Sequence, residues 1–483
     1  MAVVTLSCIR RGGGRLCFFA ALLLLLPTSL SASDSPTHQI LPLLPLPLPL
    51  TTSSQLPITA HDDASSSSSS LPSLSVQLHH VGSFLNVTPR ALLELRLRQD
   101  AIRVKALSAL ASRNGSSSSS SSTVSGFSSS VTSGLSLGSG EYFARFGVGT
   151  PPRYLFMVLD TGSDVVWLQC APCRKCYSQT DRLFYPSKSK SYSGIPCRSP
   201  TCQHLDSHVC DPHQRCLYRV NYGDGSSTSG EFATETLTFH GTSIPRVALG
   251  CGHDNQGLFV GAAGLLGLGR GKLSFPEQAG HQFGGKFSYC LVDRSASSKP
   301  SFLIFGDKAV SRTAQFTPMI RNPKLDTFYY VELVGISVGG TRVAGIKPSM
   351  FRLSPTGDGG VIVDSGTSVT RLARPAYTFL RQAFRAGASD LTPAGEFSLF
   401  DTCYDLSGKT EVTVPTVVMH FKGADVLLPA SNYLIPVDEN GKFCFAFAGT
   451  SSGLSIIGNI QQQGFRVVFD LGGSRVGFAP KSC

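Results

Sequence analysis

Acidic residues are missing from the first 33 positions of this 483-residue chain. Arg10, Arg11 and Arg15 precede a short apolar core, Leu16 to Leu26, and then small residues around Ser29 to Ala32. That order is the order of a secretory signal peptide, assigned here to residues 1–32. A chloroplast transit peptide is the alternative, since it too is rich in Arg and Ser and poor in acid, but the compact leucine run argues for secretion. The core is too short to cross a bilayer and no longer apolar run follows, so a soluble mature protein is expected. Other absences narrow the chemistry. No HExxH pair offers a zinc site, and no Lys/Arg-dense run or nucleic-acid reader motif accompanies the formal net charge of +11. Removing residues 1–125 leaves 33 basic and 26 acidic side chains, a net of +7, so the excess is not confined to the N-terminal part. A solvated basic surface accounts for it.

Residues 33–140 are poor in the means to build a core. Leu41 to Leu50 alternates Leu and Pro, and serine runs fill 65–70 and 116–122. Proline blocks helix and sheet, and polyserine buries too little to offset chain entropy. One stretch is patterned: Pro89 to Ala111 reads as a helix, with Leu92, Leu93, Leu95, Leu97, Ile102, Val104 and Leu107 among Arg96, Arg98, Arg103 and Lys105. The sequons Asn86-Val87-Thr88 and Asn114-Gly115-Ser116 make Asn86 and Asn114 candidate glycosylation sites, both upstream of the region that reads as folded.

What is present, twice, is a carboxylate turn. Asp160-Thr161-Gly162 follows Leu155-Phe156-Met157-Val158-Leu159, and Asp364-Ser365-Gly366 follows Val361-Ile362-Val363. Each reads as a buried strand ending in a tight turn that holds a carboxylate rigidly. Leu265-Leu266-Gly267 ends 107 residues after Asp160, and Ile456-Ile457-Gly458 ends 94 after Asp364. The same order in both places suggests an internal duplication, two similar lobes meeting at one site. The remainder is short strands punctuated by Gly, Pro and Asn. Only Arg374 to Ala386 looks helical in the second half, and Phe275 to Phe283 more weakly in the first. An all-β, two-lobed architecture follows. Its length, 343 residues from 141 onward, is enough for two cores.

From about Glu141 to Cys483 the chain resembles the pepsin-like aspartic proteases, and within them the plant nepenthesin-like branch. The resemblance rests on Gly147 to Pro152, the DTGSDVVWLQC run at 160–170, Tyr222 to Ser226, the DSGTS run at 364–368, the IIGN run at 456–459 and Val476 to Pro480. It implies a bilobal pepsin-like fold with pseudo-twofold lobes and a cleft between them: an N-terminal lobe at 141–306 with a Cys-rich insert, a connection at 307–327 where Pro318 and Pro323 interrupt the strands, and a C-terminal lobe at 328–483. It makes 33–140 a propeptide and the function that of an aspartic endopeptidase made as a secreted zymogen, extracellular or vacuolar by way of the secretory pathway. Asp160 and Asp364 are the implied catalytic pair, supported by Gly162 and Gly366. Ser163 and Thr367 match hydroxyls that bond the carboxylates. Tyr222 matches the flap tyrosine, in a Tyr-Gly-Asp-Gly setting suited to a hairpin tip, and Trp167 a residue packed behind the first carboxylate. Asn459 stands where many family members have a third acid, and Asp164 is an extra acid beside the first triad. No cofactor or metal is implied. The implied partners are protein or peptide substrates, with no nucleic acid, no membrane and a monomeric enzyme.

Twelve of the fourteen cysteines lie beyond the presumed signal, which contains Cys8 and Cys17. The Cys170, Cys173, Cys176 spacing could hold a metal in a reducing compartment, but the even count and the secretory reading favour disulfides. The resemblance together with spacing suggests Cys170–Cys173, Cys176–Cys251, Cys197–Cys216, Cys202–Cys210, Cys290–Cys483 and Cys403–Cys444. Two G-x-S-x-G strings, at 134–138 and 335–339, fit the serine-hydrolase pattern and are rejected, because neither has its strand–turn–helix context; His79-His80 falls in the prosegment. Two other functions compete with proteolysis. One is a binding or inhibitor protein on the same fold, as in plant relatives that lack the intact dyad; the other is a chloroplast protease with DNA affinity. The intact triads and Tyr222 favour catalysis.

Overall fold

The computed structural model describes residues 5–11, 14–20, 36–43, 73–80, 89–111, 142–222, 226–239, 242–257, 261–291 and 301–482. Residues 1–36 and 37–483 are two separate compact units. In the first, Thr5–Arg11 and Gly14–Ala20 form an antiparallel hairpin. The second is the two-lobed β-protein that the triads suggest.

Each carboxylate turn ends a strand gripped on both edges. Arg153–Asp160 lies between Tyr142–Val148, antiparallel, and Gly264–Gly267, parallel, with Gly267 opposite Asp160. Val361–Val363 lies between Tyr329–Val331, antiparallel, and Ser455–Ile457, parallel, with Val363 opposite Ile457. A central strand covered on both faces reads as an unbroken apolar run, which is why neither shows period-two alternation. The repeated glycines are explained by what they touch. A Cβ on Gly267 would lie 2.2 Å from the carbonyl oxygen of Asp164, and one on Gly458 would lie 2.6 Å from that of Ser368. Asp164 and Ser368 each stand four residues past their catalytic-type Asp, so the duplication extends to the backbone contact that seats each turn.

The lobes share a sheet. Lys286–Cys290 pairs with Phe465–Asp470, which pairs with Arg475–Pro480, which in turn pairs with Gln315–Ile320. Phe287 and Phe469 stack across the first of these junctions at 4.6 Å. The connection is therefore not an interruption at Pro318: that residue lies inside a strand, opposite Arg475. A strand tolerates proline where the missing N–H faces away from the ladder. The two expected helices appear as Arg374–Gly387 and as the short pair Phe275–Gln278 and Gly280–Phe283.

The N-terminal segment contributes more structure than its composition suggests. Leu74–His80 inserts between Ser301–Phe305 and the strand that begins at Tyr142. Its alternation was a legible signal: Leu74, Val76 and Leu78 are buried, while Ser75 and Gln77 face outward. His38–Pro42 pairs with Glu411–Pro415 and buries Leu41. Pro89–Ala111 is helical as expected.

Four expected disulfides are corrected. Cys170 bonds Cys251, not Cys173, and Cys173 bonds Cys176. Cys197 bonds Cys210 and Cys202 bonds Cys216, so Cys197–Cys216 and Cys202–Cys210 exchange partners, and Cys176–Cys251 does not form. The reason lies in register. Trp167–Gln169 runs parallel to the strand carrying Cys251, with Leu168 opposite it, so Cys170 reaches the cysteine across the sheet at a Cα separation of 5.4 Å. Cys403 and Cys444 are directly opposed in register and are bonded. Cys290 is also in a disulfide, but Cys483 lies outside the described residues. Non-reducing peptide mapping should recover Cys170 with Cys251, Cys197 with Cys210 and Cys202 with Cys216. Recovery of a Cys197–Cys216 peptide would overturn this arrangement.

Candidate active site

The two triads meet through a reciprocal pair of hydrogen bonds. The N–H of Ser365 donates to Thr161 Oγ1 at 2.8 Å, and the N–H of Thr161 donates to Ser365 Oγ at 3.2 Å. All four groups are buried, so the lock is shielded from competition by water. It brings Asp160 and Asp364, 1% and 0% exposed, to the same point at the bottom of the interface between the lobes. Each carboxylate is held by its own turn. Asp160 accepts from the Gly162 N–H at 2.9 Å and the Ser163 hydroxyl at 2.8 Å. Asp364 accepts from the Gly366 N–H at 3.1 Å and the Thr367 hydroxyl at 2.5 Å. The four supporting positions named from the sequence thus act in matched pairs.

Trp167 is fully buried and its indole N–H donates to Tyr222 Oη at 2.7 Å. The N–H of Tyr222 donates to the Ser226 carbonyl, closing the hairpin between Cys216–Asn221 and Ser227–Phe239. The tip, 223–225, lies outside the described residues, as do both sequons and the string at 134–138. Asn459 is buried and its side-chain N–H donates to the Ser365 carbonyl at 3.0 Å, so it supports the second turn without adding charge. Among the described residues no cluster of three or more His, Cys, Asp or Glu could hold a metal ion, and no helix is long and apolar enough to cross a membrane.

The space in front of the dyad is occupied by the chain itself. Arg103, on the helix Pro89–Ala111, places Nη2 2.5 Å from Asp160 Oδ1 and 2.9 Å from Asp364 Oδ1, and Nε 2.9 Å from Asp364 Oδ2. Burial by itself would lower the pKa of this guanidinium, but the two carboxylates outweigh that and raise it above its ordinary value. The helix lies on the C-terminal lobe along two apolar contacts. Leu93 and Leu97 pack with Val369, Phe400 and Ile460, and Val104 and Leu107 with Phe328, Ile362 and Ile456. The same buried face carries Arg96 beside the first contact, and Asp100 and Arg103 between the two. Asp100 pairs with buried Arg371. Neither Asp100 nor Arg371 was singled out from the sequence, because a single charge on a helix or a strand reads as solvated until the partner opposite it is known.

The rejected string at 335–339 has an unexpected setting. Ser337 Oγ is 2.7 Å from His420 Nε2, and His420 Nδ1 is 2.7 Å from Asp425 Oδ1. The three residues form a cross-strand ladder on Leu333–Val338, Val417–Phe421 and Ala424–Leu428. Ser337 lies within a strand paired on both edges and is buried, with no strand-to-helix elbow to present it. The rejection stands on that geometry.

Comparison with known proteins agrees with the site. Residues 142–307 match the family model for the xylanase inhibitor N-terminal domain, and 328–480 match that for the C-terminal domain. The chain is 66% identical over 414 residues to aspartyl protease family protein 2 of Arabidopsis thaliana, covering 85% of each chain. It is 42% identical over 413 residues to aspartic proteinase nepenthesin-1 of Nepenthes gracilis, covering 84% of this chain and 90% of that protein. It belongs to the plant nepenthesin-like branch of the pepsin-like aspartic proteases. Solved structures of edgp and of soybean basic 7S globulin share the fold, with TM-scores of 0.59 and 0.56 at 22% identity; each covers 70% of this chain, and the matches span 91% and 92% of those proteins. At the level of the family this is a protease fold, and its relatives are named aspartic proteases, hydrolases whose substrates are proteins or peptides.

Asp164 has a structural part. It accepts from the Gly271 N–H at 2.9 Å and the Thr327 hydroxyl at 2.6 Å, tying the first turn to the inter-lobe connection. Burial pushes its pKa up to about 6, against the opposing pull of those two donors. A raised folded-state pKa favours the protonated form, so its contribution to stability is complete below the unfolded value near 4 and is lost as pH rises through 6. Relative to the wild type, Asp164→Asn should therefore become more stable by about 1–2 kcal/mol between pH 4 and pH 7, discounting for partial exposure. Thermal melts of both proteins across that range check the sign. A stability difference that is flat with pH would exclude Asp164 as its source.

Proposed function

We propose that this protein is a catalytically competent aspartic endopeptidase, made as a secreted zymogen in which Arg103 blocks the dyad. The observation that carries the proposal is the single guanidinium shared by Asp160 and Asp364. A binding protein that had abandoned catalysis would have no need for two interlocked carboxylates, matched hydroxyl supports and a cation covering them.

With the helix gone, two carboxylates at one buried point cannot both ionise cheaply, and one holds a proton, as aspartic proteases are known to do. A water held between them loses a proton to the ionised Asp, while the protonated partner donates to the scissile carbonyl oxygen. Attack gives a tetrahedral diol. Proton transfer to the amide nitrogen then breaks the C–N bond, and the dyad returns to its singly protonated state. The macroscopic titration belongs to the pair, so neither Asp is assigned the proton. The Tyr222 hairpin closes over the bound peptide and excludes water.

Gating follows from charge. Acid protonates carboxylates and removes the attraction that holds Arg103, and the Ser/Gly-rich stretch from 116 to 139 offers the cleavage point. The secretory reading of residues 1–32 supplies the compartment. The intact dyad favours this reading over the inhibitor alternative, and chloroplast targeting has no support beyond composition.

Asp160→Asn and Asp364→Asn should each lower peptide cleavage by about a thousandfold or more without loss of fold, whereas Ser337→Ala should leave it unchanged. Digestion of a peptide library by the processed protein, with and without a statine-type inhibitor, reads this directly. Full activity in Asp364→Asn would refute the dyad.

Arg103→Gln tests the gate. It leaves two buried carboxylates without their counter-charge, a loss of about 3–5 kcal/mol before one of them protonates. The full-length variant should convert at a pH nearer neutral than the wild type, followed by mass after a pH step. Cleavage of peptides by the wild type at acid pH with 89–111 still attached would defeat the gating proposal.

A further inference from the structure

Asp100, one helical turn before Arg103, sits in a receptor of its own. Oδ1 accepts from the main-chain N–H groups of Ser368 at 2.5 Å and Val369 at 3.2 Å. Oδ2 accepts from Arg371 Nε at 3.2 Å and Nη2 at 2.5 Å. The Asp100 side chain is 0% exposed and that of Arg371 is 7% exposed. Every donor comes from Ser368–Arg371, directly after the DSGT turn, on the strand Thr370–Ala373 and the segment leading into it. The C-terminal lobe thus supplies a complete carboxylate site, and the helix supplies only the carboxylate.

We propose that once the helix leaves, this same site takes an acidic side chain of the peptide substrate, which makes Arg371 a specificity-determining residue. The inference rests on the proteolytic reading above. The helix lies in the cleft with Arg103 on the dyad, so the groups that its face contacts are groups that a bound peptide meets. A guanidinium that loses its buried counter-charge is left costly until water or another anion replaces it. Its planar fork matches a carboxylate better than a neutral amide, and the two N–H groups add to that match. Asp100 and Arg103 are separated by about 5–6 Å along the helix surface. An extended peptide advances about 3.3 Å per residue, so the selected side chain lies about two residues from the scissile bond.

The rival role for Arg371 is purely to anchor the prosegment. In that case its substitution would loosen the helix but leave substrate choice untouched. Two readouts separate the roles. First, kcat/KM is measured near pH 5.5, where peptide carboxylates are ionised, for peptides that differ only by Glu or Gln at each position around one cleavage site. The processed wild type should prefer Glu about tenfold at a single position, and Arg371→Gln should bring that ratio to within about twofold of unity. Second, the Asp160→Asn chain, nicked between 112 and 140 by an added protease, is titrated with the labelled Glu and Gln peptides, and the Kd ratio should match. The wild-type comparison requires no Arg371 variant to fold. A Glu/Gln ratio near one in the wild type, or a preference that survives Arg371→Gln, overturns the proposal. If the processed wild type cleaves none of the peptides while the Asp160→Asn chain still binds the Glu peptide more tightly, the proteolytic reading is overturned and the receptor is kept.

Discussion

The carboxylates of Asp160 and Asp364 are kept together by hydrogen bonds that cross the lobes, Ser365 N–H to Thr161 Oγ1 and Thr161 N–H to Ser365 Oγ. Like charges at one buried point repel, and only a rigid backbone can hold them there. The rigidity has a visible source. Each turn ends a strand held on both edges, and each is backed by a glycine, Gly267 or Gly458, where a side chain would collide with main chain. The shared sheet through Lys286–Cys290 and Phe465–Asp470 fixes the lobes that carry these turns. Remove the lock and the remaining architecture has nothing to align.

A counter-charge completes the arrangement. Arg103 pairs with both carboxylates at once, and Asp100 is itself neutralised by Arg371. The helix therefore presents charges of both signs to complementary groups, Asp160 and Asp364 from the two lobes and Arg371 from the second. Buried ion pairs of this kind add little net stability compared with apolar packing, but breaking one is costly. That asymmetry suits the proposed release, in which the segment stays bound until its partners change protonation state. The apolar ends of the helix, Leu93 with Leu97 and Val104 with Leu107, give it affinity, and the charged middle gives it register.

Much of the site was legible because each carboxylate and its supporting groups are nearly contiguous residues. Asp160 with Gly162 and Ser163, and Asp364 with Gly366 and Thr367, need only a local turn to come together, so a short string carries the geometry. The cysteines were not legible in that way. Cys170 is three residues from Cys173 yet bonds Cys251, because strand register decides which Sγ atoms approach. Leu74–His80 did carry a period-two signal, masked by the Pro- and Ser-rich sequence around it. Ser337, His420 and Asp425 show the converse: a motif can find its partners in space and still lack the exposure that its chemistry requires.

By itself the sequence determined the two turns, the duplicated order of strand, carboxylate and glycine, the helix Pro89–Ala111 and its excess of cations. These are local properties, set by periodicity, turn chemistry and charge. The tertiary structure alone decided which cation reaches the dyad, since Arg96, Arg98, Arg103 and Lys105 are indistinguishable in composition and only the seating of the helix selects Arg103. It alone decided that Asp100 meets Arg371, residues 271 positions apart whose pairing depends on where two elements cross. Long-range partners are chosen by packing, and packing is a property of the folded chain.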